Sequence, residues 1–230
     1  MNRIEDIQKN PLKSVFLLSI PIIVILFLHT FYSVVDAIWI AGLGHSAIIA
    51  VGYVLNLYYI LQKLGEGIGR SCNVMISTSF GANEYDRANN IACHGLFIIL
   101  ILAVLIPVMF ILIIKPVCSI VHIEQYTNLI ASYFLIPVIF IVFTLLSNYF
   151  SAILGSEGDT KRASYIVMAG SIVNIVLDPI LIYKCNFGIF GAGLATALGC
   201  LVSFLLFYYL YYVKADVVVK LSRQNFTYDR

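Results

Sequence analysis

The stretch Tyr165-Ile166-Val167-Met168-Ala169-Gly170-Ser171-Ile172-Val173-Asn174-Ile175-Val176-Leu177-Asp178-Pro179-Ile180-Leu181-Ile182-Tyr183 sets an acid inside an apolar run. The run is close to the ~20 residues that a bilayer-crossing helix needs. Asn174 and Asp178 are four residues apart, so on a helix they share one face. An ionised carboxylate in hydrocarbon is costly and is rarely found there without a partner and a task. Pro179 removes a backbone N–H and crowds the carbonyl of Ile175, so a kink with freed backbone acceptors is expected. A second acid, Asp36, sits in another apolar run, with Tyr32 one turn before it. Two acids in two runs point to a cation or proton site between helices.

Composition sets the class. Of 230 residues, 61% are hydrophobic and only 11% charged, against about 25% charged in a soluble domain. With a mean hydropathy of +0.95, the chain reads as an integral membrane protein of the all-α class. The net charge of +2 says little about partners. No basic cluster interleaved with aromatics points to nucleic acid. The five cysteines form no C-x-x-C pair and read as small buried hydrophobes. The charged N-terminal segment runs into a long apolar stretch with no signal-peptide core and cleavage site, so that stretch is expected to be retained.

Six apolar runs are expected to cross the bilayer: 15–41, 47–69, 90–114, 128–153, 164–184 and 188–213. Pro21, Pro107 and Pro137 fall inside them, which membrane helices tolerate. The expected organisation is a cytoplasmic segment 1–14, a six-helix bundle 15–213 and a cytoplasmic linker 214–230. Of the fourteen Lys and Arg, all but Lys115 and Lys184 fall on one side of this arrangement. The positive-inside rule then places both termini in the cytoplasm. At 1.5 Å per residue, Asp36 and Asp178 lie about 9 Å from the outer side, Thr196 about 12 Å and Asn174 about 15 Å. Four polar side chains from three runs therefore share the outer half of the bilayer, a condition that contact between them requires.

Other polar residues have plainer readings. Glu66 is expected to pair with Lys63 at i−3 and Arg70 at i+4. Asn56 and Asn148 could line a cavity or bond another helix. The four histidines offer no i, i+4 metal pair; His29, on the face of Tyr32 and Asp36, reads as an interhelical hydrogen bond or a proton relay. Gly191, Ala195 and Gly199 recur every four residues, a spacing that lets membrane helices approach closely. Asp159 or Thr160 can cap the helix that follows. No nucleophile–base constellation or metal-ligand cluster points to catalysis, so no enzymatic activity is expected.

Ile153-Leu-Gly-Ser-Glu-Gly-Asp-Thr-Lys161, the Asn174 to Ile182 run and Gly188-Ile-Phe-Gly-Ala-Gly-Leu-Ala-Thr196 together resemble the multidrug and toxic compound extrusion (MATE) transporters. Asp36-Ala-Ile-Trp-Ile-Ala-Gly-Leu-Gly44 resembles the end of that family's first helix. Ser77-Thr-Ser-Phe-Gly-Ala82, with Ala88, resembles its second cytoplasmic turn. The resemblance implies two six-helix bundles around a central cavity, with amphipathic organic cations expelled in exchange for Na⁺ or H⁺. It implies a cation site in the N-terminal bundle, carried over residue by residue to Asp36, Asn174, Asp178 and Thr196. These are the four that the depth count places in the outer half. The family has about twelve helices, so this chain reads as the N-terminal half. Lys63, Glu66 and Arg70 depart from the family's small or apolar residues.

The expected function is therefore cation-coupled antiport at the cell membrane. Asp36 and Asp178 would be the coupling acids, Asn174 and Thr196 neutral oxygen ligands, and Tyr32 an orienting donor, with Pro179 as the hinge. The expected partners are the lipid bilayer, an amphipathic cation substrate and a second six-helix lobe, without nucleic acid and without a cofactor beyond the coupling ion. The oxygens serve Na⁺ and H⁺ alike, so the ion stays open. The competing readings are a flippase for lipid-linked saccharides, which needs a cationic cavity for pyrophosphate, and a non-transporting bundle that binds a partner.

Overall fold

A computed structural model describes residues 11–120 and 122–221, and within the first two helices some side chains lie outside the described set, those of His29 and Tyr32 among them. The architecture is all-α. Helices α1 (Pro11–Ala41), α2 (His45–Gly81), α3 (Tyr85–Ile120), α4 (Thr127–Ile139), α5 (Ile141–Ser156), α6 (Thr160–Pro179) and α7 (Gly188–Tyr208) follow in order. A short 3₁₀ turn, Glu124–Tyr126, precedes α4, and π turns follow α6 at Ile180–Lys184 and α7 at Tyr209–Lys214.

The expectation of six membrane spans is corrected. Among the described residues, three segments are long and apolar enough to cross a membrane: Tyr85–Ile120, Thr160–Lys184 and Gly188–Lys214. The segment Glu124–Ile139 plus Ile141–Ser156 makes a fourth only if its two halves count as one, since they meet at 46°. Apolar runs overcount for identifiable reasons. The run 128–153 breaks at Phe140, just past Pro137, which has no backbone N–H to give to the preceding turn. Helix α2 places Lys63, Glu66 and Arg70 within two turns of one another. Part of α1 lies outside the described side chains.

Local chemistry sets the boundaries. α2 closes with Asn83 at φ 62° and Glu84 donating its N–H to the Ser79 carbonyl at 2.8 Å, a left-handed stop of the kind Asn tolerates. Before α6, Gly158 takes φ 78°, and Asp159 caps the helix by accepting from the Arg162 N–H at 3.2 Å.

α7 packs on α4, α5 and α6; α2 packs on α3 and α5; α1 packs on α6. Tyr149, Phe134 and Phe207 fill the centre. Lipid tails are as apolar as leucine, so contact quality and interhelical hydrogen bonds hold such a bundle. The Tyr149 hydroxyl donates to the Ala92 carbonyl at 2.5 Å, and the Asn73 amide to the Ala152 carbonyl at 2.5 Å. On α3, Val104, Val108 and Leu112 point outward and are at least half exposed, a face suited to lipid.

The α6–α7 crossing positions the site. A Cβ on Gly170 would meet the Gly199 carbonyl at 2.5 Å, and one on Gly199 would meet the Gly170 carbonyl at 2.7 Å and the Asn174 Cβ at 3.0 Å. The two backbones therefore touch one turn from Asn174.

The segment beyond α7 folds back. Glu157 is buried and its carboxylate accepts the N–H groups of Val218 (3.0 Å) and Val219 (2.9 Å). Arg162 donates to Asp216 at 2.9 Å, and the Lys220 N–H to Asn89 at 2.8 Å. The expected linker 214–230 is thus held against the α5–α6 turn as far as it is described; 1–10 and 222–230 lie outside the described residues.

Candidate functional site

α6 carries Asn174 and Asp178 on its buried face, with exposures of 3% and 0%. α1 brings Asp36, also buried, and α7 brings Thr196. Asn174 Nδ2 donates to Thr196 Oγ1 at 3.4 Å, and Thr196 Oγ1 donates to the Ala192 carbonyl at 3.1 Å. The structure thus joins Asn174 to Thr196 by a hydrogen bond and sets the acids Asp36 and Asp178 on two helices, α1 and α6, that pack on each other.

A kink is expected at Pro179, and a change of helix type follows it. The helix widens into the π turn Ile180–Lys184, closed by the Cys185 N–H on the Ile180 carbonyl at 2.8 Å. π turns are rare and recur at functional sites. A Cβ on Gly191 would meet the backbone of Leu181 and Ile182 at 2.7–2.9 Å, so α7 seats against the turn itself.

Tyr133 on α4 was not singled out from sequence. Its hydroxyl donates to Asp36 Oδ2 at 3.3 Å. It fills the role of donor expected of Tyr32, whose side chain lies outside the described residues. No local signal marks Tyr133, since its partner is 97 positions away.

Polar satisfaction gives the site its chemistry. Asp36 Oδ1, Asn174 Oδ1 and both carboxylate oxygens of Asp178 are buried without a hydrogen-bond partner. A buried polar atom left unpaired costs about 1–3 kcal/mol, and more when charged. The described residues hold no cluster of three or more His, Cys, Asp or Glu. The site instead combines two carboxylates, an amide oxygen and a hydroxyl, all hard oxygen donors suited to a hard monovalent cation or to protonation.

Asp36, Asn174 and Thr196 open on a cavity of about 310 Å³ that also reaches Tyr58, Tyr133 and Asn148. Asp178, fully buried, is not among the described residues that line it. Asp36 is the sole charged side chain among the described lining residues. Elsewhere, Glu66 binds Lys63 and accepts from Arg70 Nε at 3.0 Å, the local pairing its spacing implies.

Residues 21–180 match the family model described as MatE. This chain belongs to the MatE family. Members of the family are transporters, not enzymes. Within it, the multidrug export protein MepA of Staphylococcus aureus (strain NCTC 8325 / PS 47) is 26% identical over 229 residues, covering 95% of this chain and 50% of that protein. An outward-facing structure of a multidrug resistance MATE family transporter of the MOP superfamily is 31% identical, with a TM-score of 0.94 over 100% of this chain and 51% of that one. A MOP superfamily transporter from Pyrococcus furiosus Vc1 (DSM3638), its structure described as having a binding pocket of reverse polarity that suggests a different function, is 33% identical. Its TM-score is 0.89 over 95% of this chain and 48% of that one. The MatE chain described here spans about half the length of the relatives it matches.

Proposed function

We propose that this chain is the N-terminal, cation-coupling half of an antiporter that exports amphipathic organic cations in exchange for Na⁺ or H⁺. It works in the cell membrane with both termini cytoplasmic, beside a second lobe. Asp36, Asn174, Asp178 and Thr196 bind the coupling ion, Tyr133 steadies Asp36, and the π turn after Pro179 is the element that responds. The observation that carries this reading is the set of four buried oxygens without a protein donor, contributed by three side chains from α1 and α6. A bare carboxylate in low dielectric is disfavoured, and a cation or a proton relieves that cost. Loading and unloading then bias the bundle between two arrangements.

A cavity whose one charged described lining residue is an acid and whose walls include Tyr58, Tyr59 and Tyr133 suits a cation over a pyrophosphate. That favours efflux of organic cations over a saccharide-lipid flippase. The test is transport by the native-length protein in vesicles under an imposed Na⁺ or proton gradient. Asp178→Asn is expected to abolish gradient-driven export of a fluorescent organic cation. Full gradient-driven export by that variant refutes the reading.

A further inference from the structure

Tyr183 ties the two acid-bearing helices together one turn beyond the acids. The last turn of a helix leaves carbonyls without intrahelical partners. In α1, those of Ile38, Ile40 and Ala41 are taken by the N–H groups of Gly42, Leu43 and Gly44 at 3.0–3.2 Å. The Trp39 carbonyl, lying between them, receives the Tyr183 hydroxyl at 2.8 Å. The two rings also meet edge to face, with centroids 5.8 Å apart at 65°. Tyr183 thus caps α1 from a different element.

That element is the π turn that follows Asp178-Pro179. Trp39 stands one turn after Asp36, and Tyr183 one wide turn after Asp178. The packed α1–α6 pair thus carries one acid on each helix and, one turn further on, the Trp39–Tyr183 contact. Gly42 is shaped around the contact: a Cβ there would lie 2.1 Å from the Tyr183 hydroxyl.

We infer that Tyr183 is the positioning residue that couples occupancy of the Asp36–Asp178 site to the end of α1 and its junction with α2, an inference that rests on the proposed cation site. A change in charge between the acids alters how closely α1 and α6 approach. The Tyr183 bond is the next fixed point on that pair, so it strengthens or yields with the ion. Coupling is reciprocal: whatever the ion does to the bond, removing the bond does to ion affinity.

Trp39 is the chain's one tryptophan and therefore a reporter already in place. The experiment titrates Na⁺ at fixed pH, and pH without Na⁺, on the 230-residue chain in lipid vesicles. It reads Trp39 emission alongside direct radioactive Na⁺ binding and proton uptake. Wild-type emission is expected to change with the same midpoint as binding. Tyr183→Phe keeps the ring and loses the hydroxyl; Gly42→Ala pushes the hydroxyl away from the other side. Both are expected to move the binding midpoint at least about fivefold, the lower end of ordinary coupling, while melting stays near wild type. Ion binding with unchanged emission, or unchanged midpoints in both variants, overturns the inference and leaves the site reading intact. Absence of any cation or proton binding by the wild type overturns the site reading and this inference together.

Discussion

Asp178 is fully enclosed and neither of its oxygens has a hydrogen-bond donor. Asp36 differs, since it borders the cavity and accepts from Tyr133. The enclosed acid suits retention of an ion and the bordering acid its exchange. Tyr133→Phe removes the donor that steadies Asp36 without removing the ring. It is expected to weaken cation binding roughly three- to tenfold, about 1 kcal/mol for one such bond, with little change in melting. Protons and Na⁺ compete for the same carboxylates, so Na⁺ binding is expected to fall as pH is lowered, which a radioactive Na⁺ titration at several pH values checks. Much of this site was legible in the residues themselves. The i, i+4 pair Asn174 and Asp178 with Pro179 and the acid in the first apolar run follow from local sequence. Tyr133 does not, because a tyrosine in an apolar run is indistinguishable from core until the chain crossing is known.

Among the elements, the α6–α7 crossing governs how Asn174 meets Thr196. Gly170→Ala places a methyl group against the Gly199 carbonyl backbone. Overpacking of this kind costs about 1–3 kcal/mol, so both the melting temperature and cation affinity are expected to fall. Gly67→Ala, where nothing lies within 4 Å, is expected to leave both near wild type. The α5–α6 turn makes a second testable contact. Glu157→Gln removes one acceptor from the pair that holds Val218 and Val219, and amide exchange there is expected to quicken roughly tenfold, consistent with losing about one net hydrogen bond. Burial raises the Glu157 carboxyl above its usual value, against the pull of the Val219 and Val218 N–H groups. A raised value in the folded state means that its contribution is full below the usual carboxylate range and declines as pH rises through the folded value. The stability difference between wild type and Glu157→Gln is therefore expected to shrink from acid toward neutral pH. Hydropathy could not reveal this contact, since it records how apolar a segment is and not what its backbone bonds to.

For the molecule as a whole, the all-α membrane class was plain from composition, whereas the number of spans was not. Apolar runs register where side chains tolerate lipid, and they are blind to the 46° bend at Phe140. The small-residue stripe of α7 was more informative, because close approach needs absent side chains and Gly199 and Gly191 both meet backbone. The chain matches about half of its relatives' length. On the proposed function, the 230-residue chain combined with a second lobe is expected to give gradient-driven export, which vesicle transport assays would check. The most direct measurement is cation binding to wild type, Asp36→Asn, Asp178→Asn and the double variant, compared as a cycle. One shared site requires each single variant to lose nearly as much binding as the double. Wild-type binding in either single variant, or losses that simply add, would contradict a shared Asp36–Asp178 site.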